Sequence, residues 1–197
     1  MIKKIDFYFD FISPYSYLAH KKMKFFKKNI LVNYKPILLG GLHNLEGITA
    51  PAFFKLKLRY MTNDTLLIAK KEKINFTWNS KFPMNSLNLM RGYLAVNSNF
   101  KNLYIDTMFD AYWKNNLDIS NKEVLISLIK KCKIKKGIFF KGIQNKEIKN
   151  ELRDLTKVAH DKGVFGAPTF VVNDKIFWGQ DRLEYALDEY SKQLKQS

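Results

Sequence analysis

The stretch FYFDFISPYSYLA, residues 7–19, contains a change of period. Ile5, Phe7, Phe9 and Phe11 alternate with Asp6, Tyr8 and Asp10, the two-residue repeat of a strand. Asp10 and Tyr8 are unusual occupants of a second strand face. Ser13-Pro14 then reads as a helix start, with a hydroxyl at the N-cap and proline at the first helical position. Tyr15, Ala19, Met23 and Phe26 follow at helical spacing, and ILVNYKPILL (30–39) is the next strand candidate. The beginning of the chain is therefore β-α-β. Ser13 and Ser16 are spaced as two redox cysteines would be, yet neither is a cysteine.

The tail returns to strands. APTFVV (167–172) is a strand opening with proline, Asn173-Asp174 a turn and KIFWG (175–179) a returning strand. DRLEYALDEYSKQL then places Leu183, Leu187, Tyr190 and Leu194 on one helical face, with Asp181 at the positive end of the helix. Residues 41–145 read as helices: FFKLKLRYMTNDTLLIAKKEK, NSLNLMRGYLAV, NLYIDTMFDAYWKNN and SNKEVLISLIKKC, the last with Ser120 and Glu123 at capping-box spacing. A further helix is expected around 146–161. No internal repeat or low-complexity linker interrupts the chain.

With 197 residues, 46% hydrophobic and 15% aromatic, the chain has the length of one ordinary domain and material for a substantial core. That excludes wholesale disorder. The formal charge of +16 admits nucleic acid or an anionic surface as a partner. The lysines fall in small groups (Lys3-Lys4, Lys21-Lys22, Lys130-Lys131, Lys135-Lys136), however, and no zinc-finger spacing, RNP motif or Gly-Arg tract is present. We therefore expect a solvated basic surface that attracts small anions, with no nucleic-acid partner. MIKKIDFYFDFIS carries Asp6 and Asp10 in its apolar part and is not read as a signal peptide. With no run of about 18 apolar residues, no membrane association is expected. A single cysteine, Cys132, suits a reducing compartment, so the expected location is the cytoplasm. His20, His43 and His160 make no metal-ligand spacing, and Trp113 and Trp178 read as core.

The order βαβ, helical insertion, helix, ββα is that of a thioredoxin-like α/β fold of the DsbA type. Residues 1–40 and 146–197 would form the thioredoxin-like domain and 41–145 an inserted all-helical domain. FYFDFISPYSYLA (7–19), KFPMNSLNLMR (81–91), MFDAYWKNNLDIS (108–120) and GVFGAPTFVVNDKIFWGQDRLEYAL (163–187) together resemble the 2-hydroxychromene-2-carboxylate isomerase family, a relative of the kappa-class glutathione transferases. The blocks lie in register over essentially the whole chain.

Helix N-termini stabilise anions through free N–H groups and the macrodipole. A serine hydroxyl there can donate to an incoming sulfur anion, so the site need not own a thiol. The resemblance implies that the thiol is that of glutathione, held by Ser13 as the catalytic residue. It implies a cis Pro168 that exposes the backbone of Ala167 to pair with the tripeptide. It also implies that Gln180 and Asp181, with Arg182 adjacent, receive the γ-glutamyl end. Lys57 matches a family lysine that serves the tripeptide. Ile48 stands where many relatives have a ligand-contacting asparagine; Asn44 lies four residues away. His43 and Asn85 could line the substrate side.

The activity implied is glutathione-dependent isomerisation of a small anionic aromatic substrate. Thiolate addition to C7 of the chromene, rotation and departure would give trans-o-hydroxybenzylidenepyruvate with no net redox change. A kappa-like transferase or peroxidase is open on the same fold. From a different class, so is a basic nucleic-acid-binding protein. A thiol–disulfide oxidoreductase is excluded, because there is no dithiol. Family members often pair, so a homodimer is among the expectations, although no interface can be read.

Overall fold

The computed structural model describes residues 4–26 and 30–195, with side chains through 192. The elements in order are β1 (Ile5–Phe9), α1 (Pro14–Phe26), β2 (Val32–Pro36), α2 (Leu39–Leu45), a 3-10 turn (Pro51–Phe53) and α3 (Lys55–Lys71). There follow α4 (Leu87–Ala95), α5 (Ser98–Trp113), α6 (Lys122–Lys131), α7 (Lys136–Gln144) and α8 (Lys146–Asp161). The chain closes with β3 (Thr169–Val172), β4 (Lys175–Trp178), a second 3-10 turn (Gln180–Arg182) and α9 (Leu183–Lys195).

The expected βαβ and ββα halves build one sheet of order β2-β1-β3-β4. β1 pairs parallel with β2, Phe7 opposite Tyr34, and antiparallel with β3, Phe7 opposite Phe170. The two-residue turn between β3 and β4 holds Asn173 and Asp174 at φ 51° and 58°, a left-handed conformation that these residues tolerate better than most.

Both faces of β1 are covered. Phe7 and Phe9 join Phe11, Tyr17, Phe109, Phe170 and Trp113 in the principal core, all fully buried. Tyr8, on the opposite face, packs with Ile37, Leu42, Ala159 and Val164 in a second cluster. This accounts for the odd residues in the alternation: their face looks onto α2 and α8 instead of water. Residues of the helical stretch (Leu89, Tyr104, Ile129, Phe139) share the principal core with β1, β3 and α9.

Three local expectations are corrected. The N-cap of α6 is Asn121, whose side chain accepts from the amides of Glu123 and Val124; Ser120 donates to Asp118 instead. Trp178 is half-exposed on β4 and packs on Phe165, whereas Trp113 is core as expected. The strand expected over 30–39 is confined to Val32–Pro36. The place of the Leu194 side chain lies outside the described residues.

The helix that carries Ser13 is anchored by a buried polar chain. His20, fully buried on α1, contacts the Tyr34 hydroxyl through Nδ1 (2.9 Å) and the Asp106 carboxylate through Nε2 (2.6 Å). Lys24 reaches the same carboxylate at 2.6 Å. Burial lowers the His20 pKa, so the ring is neutral. An ionised carboxylate only accepts, so Nε2 carries the proton and Nδ1 accepts from Tyr34. Burial alone would raise the Asp106 pKa, but the hydrogen bonds from His20 and Lys24 outweigh it and hold the carboxyl below the ordinary range. A depressed carboxyl contributes stability above its unfolded pKa and loses it as pH falls toward the folded value. Asp106→Asn is therefore expected to cost about 2 kcal/mol near neutral pH. The deficit against wild type should shrink below about pH 4; urea titrations across this range check it.

Candidate functional site

The site is built on the turn between β1 and α1. Asp10 is fully buried and its carboxylate organises the turn. It accepts from the amide of Ile12 at 3.2 Å and, across the fold, from that of Leu39 at 2.8 Å. The Ser86 hydroxyl and the Phe11 amide also serve it. Burial raises its pKa, and these donors work in the opposite direction. Asp10 is thus the junction at which the turn, the start of α2 and the approach to α4 meet. The Phe11 carbonyl is fixed separately, by Trp113 Nε1 at 2.8 Å.

Ser13 is the N-cap that its sequence position implied. Its Oγ accepts from the Ser16 amide at 3.1 Å, and its own amide donates to the Asp10 carbonyl. Pro14 brings no N–H, and the first turn of α1 contains no acidic residue. No acidic side chain stands within the first turn, and the carboxylate nearest this helix end, Asp10 in the preceding turn, is engaged by the Ile12 and Leu39 amides. Ser13 Oγ donates its proton to the Ala167 carbonyl at 2.9 Å.

The Ala167–Pro168 peptide bond is cis, as expected. The Pro168 carbonyl accepts from the Gly179 amide at 2.9 Å, which ties the GQDR turn to the start of β3. Gly179 has φ 113°, a conformation suited to glycine, and a Cβ there would lie 2.5 Å from Asp181 Oδ1. Gln180 is nearly buried and accepts from Lys22 Nζ of α1 at 3.3 Å. Asp181 pairs with Arg182 at 3.0 Å, both about half exposed. Ser13, Ala167, Pro168 and Gln180 are thus brought together by contacts among α1, the β3 approach and the second 3-10 turn.

The remaining candidates are more loosely connected. Lys57 lies exposed on α3 with its ammonium 4.9 Å from the centre of the Phe54 ring, beside exposed Phe53, Leu56 and Tyr60. α3 meets α1 where the Tyr15 hydroxyl donates to Asp64 at 2.8 Å. His43 is half-buried on α2; its Nδ1 has no partner and burial lowers its pKa. Asn85 is exposed and accepts from the Leu87 amide at 3.0 Å. Ile48 is exposed after α2. Among the described residues no hydrogen bond or ion pair joins Lys57, His43 or Asn85 to Ser13.

Sequence reasoning missed the roles of Asp10 and Ser86. The signal was a carboxylate in an apolar strand, but its partners are too distant along the chain to be read. Cys132 is a buried free thiol at the C-cap of α6. Among the described residues no group of three or more His, Cys, Asp or Glu could hold a metal, and no helix is long and apolar enough to cross a membrane.

Removing the Ser13 hydroxyl would leave the Ser16 amide and the Ala167 carbonyl without partners. Ser13→Ala is expected to destabilise the chain by about 1–2 kcal/mol, read as a lower urea midpoint at unchanged m-value.

Comparison with known proteins agrees with this architecture. A family model described as a DsbA-like thioredoxin domain matches residues 4–191. The chain is 28% identical over 194 residues to a 2-hydroxychromene-2-carboxylate isomerase of Sphingobium xenophagum, covering 96% of this chain and 98% of that protein. It is 25% identical over 200 residues to glutathione S-transferase kappa 1 of Homo sapiens, covering 92% and 88%. A solved structure of 2-hydroxychromene-2-carboxylate isomerase superposes with a TM-score of 0.88 at 23% identity, covering 98% of this chain and 96% of that one, and so shares its fold. With βαβ and ββα halves closing one sheet around a serine-capped helix, the chain belongs to the DsbA-like thioredoxin family.

Proposed function

We propose that the chain is a glutathione-dependent isomerase acting on a small anionic aromatic substrate of the 2-hydroxychromene-2-carboxylate kind. One observation carries this reading: the Ser13 hydroxyl, at a helix end without acidic residues, shares its proton with the Ala167 carbonyl. Each group occupies the other's hydrogen-bonding capacity, and each is of the type that a cysteinyl residue requires. A hydroxyl and a helix N-terminus suit a sulfur anion, and a carbonyl at a strand end suits a peptide N–H. The name of the kappa-transferase relative supports the ligand, and that of the isomerase relative supports the reaction.

The donor set fits the tripeptide. Ser13 and the first turn of α1 would hold its sulfur, and Ala167 with Pro168 its central peptide. Gln180, Asp181 and Arg182 would take the γ-glutamyl end and Lys57 the glycyl carboxylate. Bound glutathione would supply a thiol nucleophile whose reversible addition turns a double bond into one that rotates. The chain's part is orientation and stabilisation of negative charge, which converts an encounter into a positioned reaction. The apolar row Phe53, Phe54, Leu56 and Tyr60 beside Lys57 offers aromatic contact and a cation together; His43 and Asn85 would stand on the substrate side. The net positive charge would favour the approach of a carboxylate. A buried, unpaired cysteine is in keeping with a cytoplasmic protein.

A kappa-like transferase or peroxidase is the second reading, favoured by the similarity to the human kappa enzyme. The two differ in whether glutathione is consumed. Reduced glutathione at about one hundred times its dissociation constant should stabilise the wild type by about 2.7 kcal/mol, a rise of several degrees in Tm at about 2–4 °C per kcal/mol. Product analysis with a chromene carboxylate should then show isomerisation with the total glutathione unchanged. Loss of glutathione in step with product would establish the transferase instead, and no thermal shift would remove both readings.

A further inference from the structure

Ser16 Oγ is fully buried and has no hydrogen-bond partner. Other helical hydroxyls in this chain are satisfied from behind: Thr62, Thr65, Thr156 and Ser191 each donate to the carbonyl four residues earlier, at 2.7–2.9 Å. For Ser16 that carbonyl belongs to Ile12, which lies before the N-cap and outside the helix. A buried hydroxyl without a partner is costly relative to alanine, which would fill the same helical position without that demand. Its amide, meanwhile, already donates to Ser13 Oγ at 3.1 Å. The hydroxyl is carried by the same residue as that amide, one side-chain torsion away from it.

We infer that Ser16 is a positioning residue whose hydroxyl donates to Ser13 Oγ when Ser13 turns its own proton from Ala167 to a bound thiolate. The inference rests on the glutathione reading. In the free protein the Ser13 proton is directed to Ala167, and Ser13 Oγ, which accepts from the Ser16 amide, keeps a second lone pair that the Ser16 hydroxyl does not use. With an anion in place, a donor behind Ser13 Oγ polarises its O–H and strengthens the bond to sulfur, as linked hydrogen bonds do. No proton changes owner; two hydroxyls reorient in series.

The test compares wild type, Ser16→Ala and Ser13→Ala. Without ligand, Ser16→Ala should be at least as stable as wild type by Tm, since only an idle hydroxyl is lost. With reduced glutathione it should keep a thermal shift. The bound thiol, followed by its far-ultraviolet thiolate absorbance against pH, should bind its proton about three-fold more tightly, about half a pH unit higher. Ser13→Ala should show a larger displacement or lose the shift. A Ser16→Ala titration superimposable on wild type would overturn the inference while leaving the glutathione site standing. A fall in ligand-free Tm would also overturn it, by showing that the hydroxyl is partnered in the free protein. Absence of a glutathione shift in the wild type would remove the ligand, and the role of Ser16 with it.

Discussion

The hydrogen bond from Ser13 Oγ to the Ala167 carbonyl joins residues 154 apart, and the rest of the site depends on it. It closes the βαβ half onto the ββα half at the point where β1 ends and β3 begins. For the two to meet, Asp6 must face Val171 and Tyr8 must face Thr169 in the antiparallel register of β1 with β3. A slip of one residue would reverse the facing of Phe7 and Phe170, both of which are fully buried. The aromatic core and the serine contact therefore enforce the same register. Asp10 extends the constraint, because its carboxylate draws the start of α2 and Ser86 to the same turn.

The substitution of hydroxyl for thiol in a C-x-x-C frame has a direct physical meaning. A cysteine at a helix N-terminus ionises readily and reacts; a serine there remains a neutral donor. The same electrostatic field that would activate an internal thiolate is then available to an external anion, as the proposed function requires. The first turn of α1 keeps that field intact by carrying no acidic side chain and by having proline at its first position. Lys22, further along α1, reaches Gln180 while pairing with Glu72 at 3.3 Å, and so ties α1 to the GQDR turn.

Much of this was legible in the sequence, and the parts that were not have identifiable causes. β1, the turn and α1 could be read because the period changes within a few residues and Ser-Pro marks the boundary. The strand pair β3–β4 could be read because Asn173-Asp174 supplies the turn it needs. α2 and α7 were not anticipated: LGGLHNL and KGIFFKGIQ each hold two glycines, which lower helix propensity. Tertiary packing overrides that cost, and at one of the four glycines the packing itself requires the absence of a Cβ. Gly142 meets the Ala95 side chain so closely that a Cβ would lie 2.7 Å from it. The cap of α6 was misplaced by one residue because Ser120 and Asn121 are both capable caps and Asp118 claims the serine. That Ser13, Ala167 and Gln180 come together was legible because short motifs carry them on rigid elements. Lys57, His43 and Asn85 sit on the α2–α4 segment, where positions follow from packing between helices and no motif reports them.

The central claim is that the Ser13–Ala167 contact is a pair of ligand groups satisfying each other in the free protein. The most direct measurement is a crystal structure of the chain grown with reduced glutathione. The sulfur is expected within hydrogen-bonding distance of Ser13 Oγ, with the Ala167 carbonyl accepting from the cysteinyl amide and the Ser13–Ala167 bond broken. A structure in which that bond is intact while the tripeptide is bound elsewhere would contradict it.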